Sequence, residues 1–181
     1  MNVLVEANII PYSEDLHRED YYDMLYEYFT WYDKEILDHY GFHLFPNGIV
    51  KPIVNEYAPS WTALKPPEGV VLILQVDGKN AGTCRVNILE KGVGEINNLY
   101  IYPQYRRMGY STKMMDKIED AARDCGFNIL RLDHGVFNVP AHRLYEKLGY
   151  KVIARYTEKS ILENDVTQSY YDEMVYMKKI L

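Results

Sequence analysis

The sequence predicts one α/β (α+β) domain, with a mixed and mostly antiparallel central sheet that contains one parallel strand pair and is flanked by helices. Strand-like segments joined by two glycine turns, between residues 70 and 102, indicate an antiparallel meander. The order strand, loop, helix, strand over residues 95 to 134 indicates a βαβ unit, whose two strands are parallel and joined by a right-handed crossover. A chain of 181 residues fits one domain and can bury a sizeable core.

The first part of the chain predicts a strand, a long helix and a loop-rich segment. Asn2 to Ile10 alternates weakly between apolar and polar residues, which is typical of a strand. Ser13 and the two acids after it suit a helix start, since serine caps helices and acids favour the positive end of the helix dipole. Apolar residues then recur at steps of three and four as far as Gly41. The proline-rich residues 42 to 68 predict a loop with one short helix near Val50 to Tyr57.

Three strands follow in the meander. Val70 to Val76 is rich in branched residues, which favour strands. Asp77-Gly78 is typical of a hairpin turn, because both central residues of that turn need positive φ. The chain returns through Ala81 to Leu89, turns again at residues 91 to 94, and continues through a third strand, Glu95 to Tyr102.

The rest of the chain alternates between helices and strands. A helical period begins at about Gly109, and Gly126 is a natural C-terminal stop. A second helix begins with Asn138 as N-cap and a proline in its first turn, and it ends at Gly149. The predicted strands of this part are Asn128 to Asp133, Tyr150 to Tyr156 and Glu173 to Ile180.

The basic loop after the third strand has the features of an anion site. A strand that feeds a loop into a helix start leaves backbone N–H groups unpaired, and the helix dipole adds to their attraction for a phosphate or pyrophosphate. Gly109 has no Cβ, so the backbone can approach a ligand closely, but neither the Walker A pattern nor the three glycines of the dinucleotide fingerprint are present. On these residues alone, a basic loop that caps a helix is an equally good interpretation. The candidate residues are Arg106, Arg107, Met108, Gly109, Tyr110, Ser111 and Thr112.

Two motifs together resemble the GNAT superfamily of acyl-CoA N-acyltransferases. Glu95 to Ser111 is similar to the family's apolar strand, proline and Gln/Arg-x-x-Gly-x-Gly/Ala at a helix start. Asn138 to Tyr150 is similar to its second signature, Asn-x-x-Ala-x-x-x-Tyr-x-x-x-Gly-Phe. The sequence departs from these patterns at Ser111, where Gly or Ala is usual, and at Tyr150, where Phe is usual. The resemblance covers roughly residues 69 to 157.

The resemblance implies a single N-acetyltransferase domain over residues 1–181. Residues 1–68 are expected to form the acceptor side, 69–157 the acyl-CoA-binding core, and 158–181 a C-terminal loop and strand, with a polar stretch longer than is usual for the family. The implied enzyme is an acyl-CoA-dependent N-acyltransferase without a metal. It moves an acetyl group from acetyl-CoA to a primary amine, of a small molecule or a peptide, by direct attack in a ternary complex. A catalytically inactive CoA-binding sensor or interaction module with this fold is the alternative.

Acyl transfer from a thioester to an amine needs a base for the amine and an acid for the departing thiolate. At pH 7 only about one lysine-like amine in a thousand is neutral, so a base or a water chain that leads to one assists the reaction. Glu95 is the candidate base, because family members often carry a glutamate there; a solvated strand-end carboxylate is an equally good interpretation. Tyr145 is the candidate acid at the position of the family's tyrosine, because a tyrosine is protonated at pH 7. The alternative is a packed helix tyrosine.

The resemblance also assigns cofactor contacts. The thioester oxygen is expected to meet the backbone N–H of Leu99 or Tyr100, since a free N–H stabilises an oxyanion. Ile101 is expected to pair with the pantetheine arm. Asn138 is expected to contact the pantetheine, to cap its own helix, or to do both.

Composition excludes several classes. A formal charge of -6 disfavours extended binding to nucleic acid or to an anionic membrane. No stretch is long and apolar enough to span a bilayer. Two cysteines far apart form no disulfide framework, which indicates a reduced, cytoplasmic setting. A homodimer through C-terminal strands stays open.

Three weaker features remain. His39 and His43 have the spacing of helical zinc ligands, but Gly41 lies between them and the glutamate of the metalloprotease motif is missing, so ordinary histidines are expected. Asp133-His134 follows a strand and could form a catalytic pair, yet no nucleophile is placed beside it; His134 is expected near the cofactor cleft. The first helix is rich in acids, which predicts a solvated face or a rim that attracts a cationic amine.

Overall fold

A computed structural model describes residues 6–156 and 168–181 of the chain. The strands in these residues are β1 (Ala7–Pro11), β2 (Gly69–Val76), β3 (Lys79–Glu90), β4 (Val93–Ile101), β5 (Ile129–His134), β6 (Lys151–Ile153) and β7 (Val175–Ile180). The helices are α1 (Glu14–Tyr40), α2 (Lys51–Thr62), α3 (Tyr110–Asp124), α4 (Val139–Lys147) and α5 (Gln168–Glu173). Two single turns of 3-10 helix lie at Pro46–Gly48 and Pro103–Tyr105.

The strands form one sheet in the order β1-β2-β3-β4-β5-β7-β6. β4 and β5 are parallel, and the other neighbouring strands are antiparallel. The parallel pairing begins at Val93 opposite Ile129 and ends at Glu95 opposite Arg131. The predicted mixed sheet, with its meander and its single parallel pair, is confirmed.

Helices pack on both faces of the sheet. The α3 face is the surface on which Leu72 and Leu74 of β2 pack in one core with Met114 and Ile118 of α3. The α1 face is the opposite surface, on which other β2 side chains pack in a second core with α1 and α2. The pleat of β2 explains this division, because successive side chains of a strand point to opposite faces.

A β-bulge interrupts β4 at Asn98. The pairing with β3 shifts between Thr83 opposite Tyr100 and Arg85 opposite Asn97, so β4 carries one extra residue there. Asn98 has a positive φ of 53°, a conformation that asparagine adopts more readily than most residues. The chain therefore bends in the second half of β4.

The bulge changes which face the end of β4 presents. Ile96 packs on the α3 face before the bulge. After Asn98, Leu99 and Ile101 pack on the α3 face, and Tyr100 packs on the α1 face. Without the extra residue, strict alternation from Ile96 would place these three side chains on the opposite faces.

Most predicted elements and turns are confirmed. Asp77 and Gly78 have φ of 47° and 76°, as the predicted hairpin turn requires. Gly41 ends α1 in the left-handed conformation, and its N–H donates to the carbonyl of Leu37. Residues 2–5 of the predicted first strand and 158–167 of the polar stretch lie outside the described residues, and the division into three functional regions stays a prediction.

Three predictions differ in detail. The short helix of the proline-rich segment runs to Thr62 and passes through Pro59, where a missing backbone N–H costs one hydrogen bond. The strand predicted over Tyr150 to Tyr156 is reduced to β6, because β7 pairs with it at three positions. The side chain of Ser13 makes no capping bond; its backbone N–H instead donates to Nδ1 of His17 at 2.8 Å. In the described part of the chain, no helix has both the length and the apolar character of a bilayer span.

Candidate active site

A cleft of ≈ 1080 Å³ lies where β4 and β5 separate, beyond Glu95 and Arg131. Side chains of both strands line it, together with residues of α1, α2, α4 and the loop before α3. The predicted site residues in its wall are Glu95, Leu99, Tyr100, Ile101, Arg106, Arg107, Tyr110, Ser111, Asn138 and Tyr145. Met108, Gly109 and Thr112 belong to the loop and the first turn of α3, outside this wall.

The loop before α3 presents a row of unpaired amides. In residues 6–156 and 168–181, no carbonyl or side chain accepts a hydrogen bond from the backbone N–H groups of residues 107 to 112. The pairing begins at Lys113, whose N–H donates to the carbonyl of Gly109 at 3.2 Å. The first amides of a helix have no partner within it, so this row can receive an anion.

Two residues of the loop adopt left-handed backbone conformations. Arg107 has φ of 62° and Gly109 has φ of 82°. A Cβ added at Gly109 would have no protein atom within 4 Å, so the positive φ, and not crowding by the protein, explains why glycine stands there. Arg107 and Gly109 are also exposed, which leaves this edge of the loop open to a ligand.

Arg106 anchors the loop to the end of β4. Its Nε donates to the carbonyl of Ile101 at 2.7 Å, and its guanidinium lies 5.4 Å from the centre of the Tyr100 ring. This contact fixes the direction in which the chain leaves the strand. The Nε of Arg106 is therefore committed to the protein, whereas Arg107 is exposed at the cleft.

Glu95 lies on the α1 face at the point where the strands separate. Its Oε1 accepts from the hydroxyl of Tyr156 at 3.0 Å, and its Oε2 accepts from Nδ2 of Asn97 at 3.3 Å. The structure places Glu95 in the third position of β4, not at its beginning as predicted. Two hydrogen bonds fix the direction of its carboxylate in the cleft wall.

Asp133 is a second carboxylate in the same cleft. It lies near the end of β5, opposite Tyr176 of β7, and its side chain is partly buried. Burial, and then repulsion by Glu95, raises the pKa of Asp133 to about 7. A carboxyl group with a pKa near neutrality can accept a proton at physiological pH and release it again.

Tyr145 reaches the cleft from α4. It is buried, and its ring packs in the core of the α3 face. Burial raises the pKa of the Tyr145 hydroxyl, so it stays protonated at neutral pH. Its ring centre lies 5.9 Å from that of His134, which also lines the cleft. The structure thus brings Tyr145 and the predicted His134 together.

His134 forms a hydrogen bond with His142, whose other ring nitrogen lies near Glu146 at the surface. Its Nδ1 donates to the carbonyl of Gly135 at 2.9 Å, which leaves Nε2 to accept from Nδ1 of His142 at 3.1 Å. Nε2 of His142 lies 3.5 Å from Oε1 of the exposed Glu146. Burial lowers the pKa of His134 and favours its neutral form.

The predicted strand contacts have a structural basis. Beyond Glu95, the β5-facing edge of β4 has no strand partner among the described residues. The bulged Asn98 lies at this edge, and its Oδ1 is buried without a hydrogen bond in the described chain. Asn138 caps α4, since its Oδ1 accepts from the N–H of Ala141 at 3.4 Å, and it also lines the cleft. Its predicted capping role is therefore confirmed.

The two histidines with zinc-like spacing have separate partners. Nδ1 of His43 pairs with Oδ2 of the buried Asp33 at 2.7 Å. Nδ1 of His39 donates to the carbonyl of Glu35 at 2.9 Å. No group of three or more His, Cys, Asp or Glu side chains in residues 6–156 and 168–181 is arranged to hold a metal ion.

The sheet splits between its one parallel pair, and an open phosphate-type loop lies at the split. The sequence matches the model of the acetyltransferase (GNAT) family over residues 12–150. The chain belongs to the acetyltransferase (GNAT) family. This membership confirms the predicted resemblance and assigns the chain to acetyl-transfer chemistry in general terms.

Relatives of this GNAT chain share part of its length. A protein of Azospirillum brasilense named IAA acetyltransferase is 27% identical over 104 residues, which cover 57% of this chain and 68% of that protein. An uncharacterised N-acetyltransferase of Methanocaldococcus jannaschii is 30% identical over 94 residues, 49% of this chain and 42% of that protein. The match thus spans less than half the length of the second relative.

Solved structures match the fold over almost the whole chain. The PaiA N-acetyltransferase of Thermoplasma acidophilum in complex with coenzyme A has a TM-score of 0.66 at 17% identity, covering 97% of this chain and 99% of that chain. A Bacillus subtilis acetyltransferase in complex with CoA has a TM-score of 0.60 at 17% identity, covering 98% and 99%. At such identities the likeness shows the fold, and it confirms the predicted fold class.

The sequence did not reveal the raised pKa of Asp133 in the cleft. Asp133 was considered as part of a catalytic pair with His134, but the two side chains point to opposite faces because they are neighbours in β5. Asp133 instead shares the α1 face with Glu95, as the pairing of β5 with its two neighbouring strands shows. Alternate residues of a strand share one face, so the sequence could have indicated that Asp133 and Glu95 lie together once the register of the two strands was known.

Proposed function

We propose that this chain transfers an acetyl group from acetyl-CoA to a primary amine by direct attack in a ternary complex. The observation that carries the proposal is the distribution of groups around the split between β4 and β5. The carboxylates of Glu95 and Asp133 lie on the α1 face, and Tyr145 lies on the α3 face. A cleft with proton acceptors on one side and a proton donor on the other suits an amine and a thiol leaving group that meet in the middle.

The chain has features that fit CoA. The unpaired amides of residues 107 to 112 and the exposed Arg107 suit a pyrophosphate. The open edge of β4, with Leu99 and Ile101 behind it, suits a pantetheine arm that extends the sheet. Two structures with the same fold contain CoA, in T. acidophilum and B. subtilis proteins, which supports this part of the proposal.

The mechanism assigns one task to each group. Acetyl-CoA supplies the thioester whose acetyl carbon is attacked. Glu95 or Asp133 takes, directly or through water, the proton that the amine loses as its nitrogen bonds to the acetyl carbon. A backbone N–H of Leu99 or Tyr100 stabilises the negative oxygen. Tyr145 donates its hydroxyl proton to the sulfur as the carbon–sulfur bond breaks, and solvent returns that proton.

Release of free CoA thiol with a panel of primary amines tests this function. We expect at least one amine to raise thiol release above the hydrolysis background. With that amine, Tyr145→Phe should lower kcat about a hundred-fold, as loss of a general acid does. Its CoA affinity should stay close to that of the unmodified protein, since the phenyl ring keeps the packing. An unchanged kcat would remove Tyr145 from the mechanism.

The same assay separates the enzyme from a sensor. If calorimetry shows that CoA binds while no amine releases thiol, the chain is a CoA-binding module with a GNAT fold. If CoA does not bind, the phosphate-loop assignment is wrong. Thiol release that depends on an amine, together with a mass increase of one acetyl group on that amine, supports the proposal.

A further inference from the structure

Arg85 is a buried cation in the wall of the cleft without an anionic partner. It lies on β3, is 8% exposed and lines the cleft. None of the ion pairs within the described residues includes Arg85, and its Nε is buried without a hydrogen bond. A buried charge costs several kcal/mol unless a counter-charge or hydrogen bonds compensate it. The guanidinium therefore lacks a direct ion pair in the described chain, and its Nε has no hydrogen bond.

The nearest carboxylate on the same face is already engaged. Glu95 lies on the neighbouring strand β4, two positions before Asn97, which is the residue opposite Arg85. Glu95 itself is opposite Asn87. Both oxygens of Glu95 accept other hydrogen bonds, from Tyr156 and Asn97. Burial lowers the pKa of Arg85 while the charge of Glu95 raises it, but none of the hydrogen bonds of Glu95 in the described chain is to Arg85.

One aromatic ring contacts the guanidinium, and further rings extend from it along the cleft wall. The guanidinium stands 4.5 Å from the centre of the Trp61 ring. Phe29 lies 6.0 Å from Trp61 and 5.6 Å from Phe45, and all three rings line the cleft. Stacking on Trp61 orients the planar guanidinium, which then presents its N–H groups in a fixed direction. A flat cation fixed on an aromatic wall is typical of a site for a carboxylate on an apolar body.

We propose that Arg85 binds a carboxylate of the acceptor, so that the acceptor is an amino acid with an aromatic or large apolar side chain. This inference rests on the proposed acetyl transfer, whose acceptor it names. The carboxylate of the acceptor stays ionised and takes no part in the bond exchange. The rings of Phe29, Phe45 and Trp61 contact the apolar side chain, and the amine points to the split beside Glu95.

Charge on the outer surface does not oppose this assignment. Of the nine acids of α1, Glu35 lines the cleft. The others lie outside that wall, for example Glu27, which accepts from the hydroxyl of Tyr100 at 2.6 Å. The predicted acidic rim is thus largely a solvated face, and the cation nearest to the acceptor-side rings is Arg85 in the described chain.

Matched substrate pairs test the role of the carboxylate. Phenylalanine, tryptophan and leucine are each compared with the amine that lacks the carboxylate: phenethylamine, tryptamine and isoamylamine. For the best pair, kcat/KM should favour the amino acid at least about thirty-fold, which is about 2 kcal/mol at 1.4 kcal/mol per tenfold. Arg85→Met should abolish that preference while turnover of the matching amine continues. Arg85→Lys should keep part of the preference for the amino acid, because lysine keeps the positive charge but lacks the paired N–H donors of the guanidinium.

A second arginine serves as the control. Arg131 is also partly buried, has an unpartnered Nε in the described chain, and stands 5.1 Å from the centre of the Tyr156 ring, but it is absent from the cleft wall. Arg131→Met should leave the carboxylate preference unchanged. If Arg85→Met loses turnover of all amines, its folding is checked by thermal unfolding and by CoA binding.

The outcomes separate this inference from the proposed function. Equal or faster turnover of the amine in all three pairs would overturn the role of Arg85 while acetyl transfer stands. If nothing is acetylated, calorimetry of the CoA-loaded protein with N-acetylphenylalanine and N-acetylphenethylamine decides. Binding of the first, weakened at least about thirty-fold by Arg85→Met, supports the carboxylate site without turnover. Equal binding of both compounds, or of neither, would overturn it.

Discussion

Replacement of Asp133 by asparagine should stabilise the folded protein at alkaline pH. In the unfolded chain the Asp133 carboxyl has a pKa near 3.8, and in the folded protein its pKa is about 7. The folded state thus favours the protonated form, and the stability contributed by this group is complete below pH 3.8. That contribution is lost as the pH rises through 7, because the folded protein must then hold a carboxylate in the cleft beside Glu95.

The size of the effect follows from the two pKa values. The difference between pKa values of 3.8 and about 7 corresponds to about 4 kcal/mol of unfolding free energy for a carboxyl group fully shielded from water. Asp133 is only partly buried, and water in the cleft screens its charge, so we expect about 2 kcal/mol. Because asparagine does not titrate, the stability of Asp133→Asn relative to the unmodified protein should rise between pH 4 and pH 7 and level off above.

Urea unfolding at pH 5.5, 7 and 8.5 measures this difference. Loss of packing would shift the free energy of unfolding equally at every pH, so the pH-dependent part isolates the carboxyl group. Glu95→Gln should reduce the effect, because it removes the charge that repels Asp133. Asp124→Asn, on the exposed end of α3, controls for the loss of one negative charge. A constant difference between Asp133→Asn and the unmodified protein across this range would refute the assignment of a raised pKa.

Three substitutions test other parts of the structure. Gly109→Ala should weaken CoA binding about ten-fold, as measured by calorimetry, because alanine strains a backbone with φ of 82° beside the unpaired amides. Gly126→Ala is the control, since Gly126 has φ of 83° and similar open space around it. It should lower the free energy of unfolding by a comparable amount and leave the CoA affinity unchanged. Gly94→Ala should lower the free energy of unfolding by about 1–3 kcal/mol, since its Cβ would lie 2.5 Å from the Phe127 ring; an unchanged melting temperature would contradict this packing. Tyr145→Phe should slow turnover without weakening CoA binding, and equal losses of both would indicate a packing role.

Local chemistry in the sequence was sufficient to predict the sheet order from β2 to β5. The Asp77-Gly78 turn and the β-rich segments on either side of it specify antiparallel neighbours without any knowledge of the rest of the chain. The loop before α3 was also predictable, because a proline, a glycine and a helix start follow a strand within a few residues. The loop before α3 thus depends on contacts that are close in sequence.

The proposed acceptor side depends on contacts that are distant in sequence. Arg85 meets Trp61 across 24 positions, and Asp133 meets the charge of Glu95 across 38. The segments that contain Arg85 and Asp133 have no sequence feature that separates a residue of the cleft wall from a residue on an ordinary strand surface. Their environments follow from the register of β3, β4 and β5, which the turns and the helix crossover fix only after the sheet has formed.

The bulge at Asn98 shows how one residue connects these two parts. It places Leu99 and Ile101 on the α3 face and leaves Glu95, before the bulge, on the α1 face. A regular strand would put Leu99 on the same face as Glu95, and its packing in the core of the α3 face would be lost. An asparagine that tolerates φ of 53° therefore lets one strand present Leu99 to the α3 face and Glu95 to the α1 face. Under the proposed acetyl transfer, that single strand can then contact both substrates.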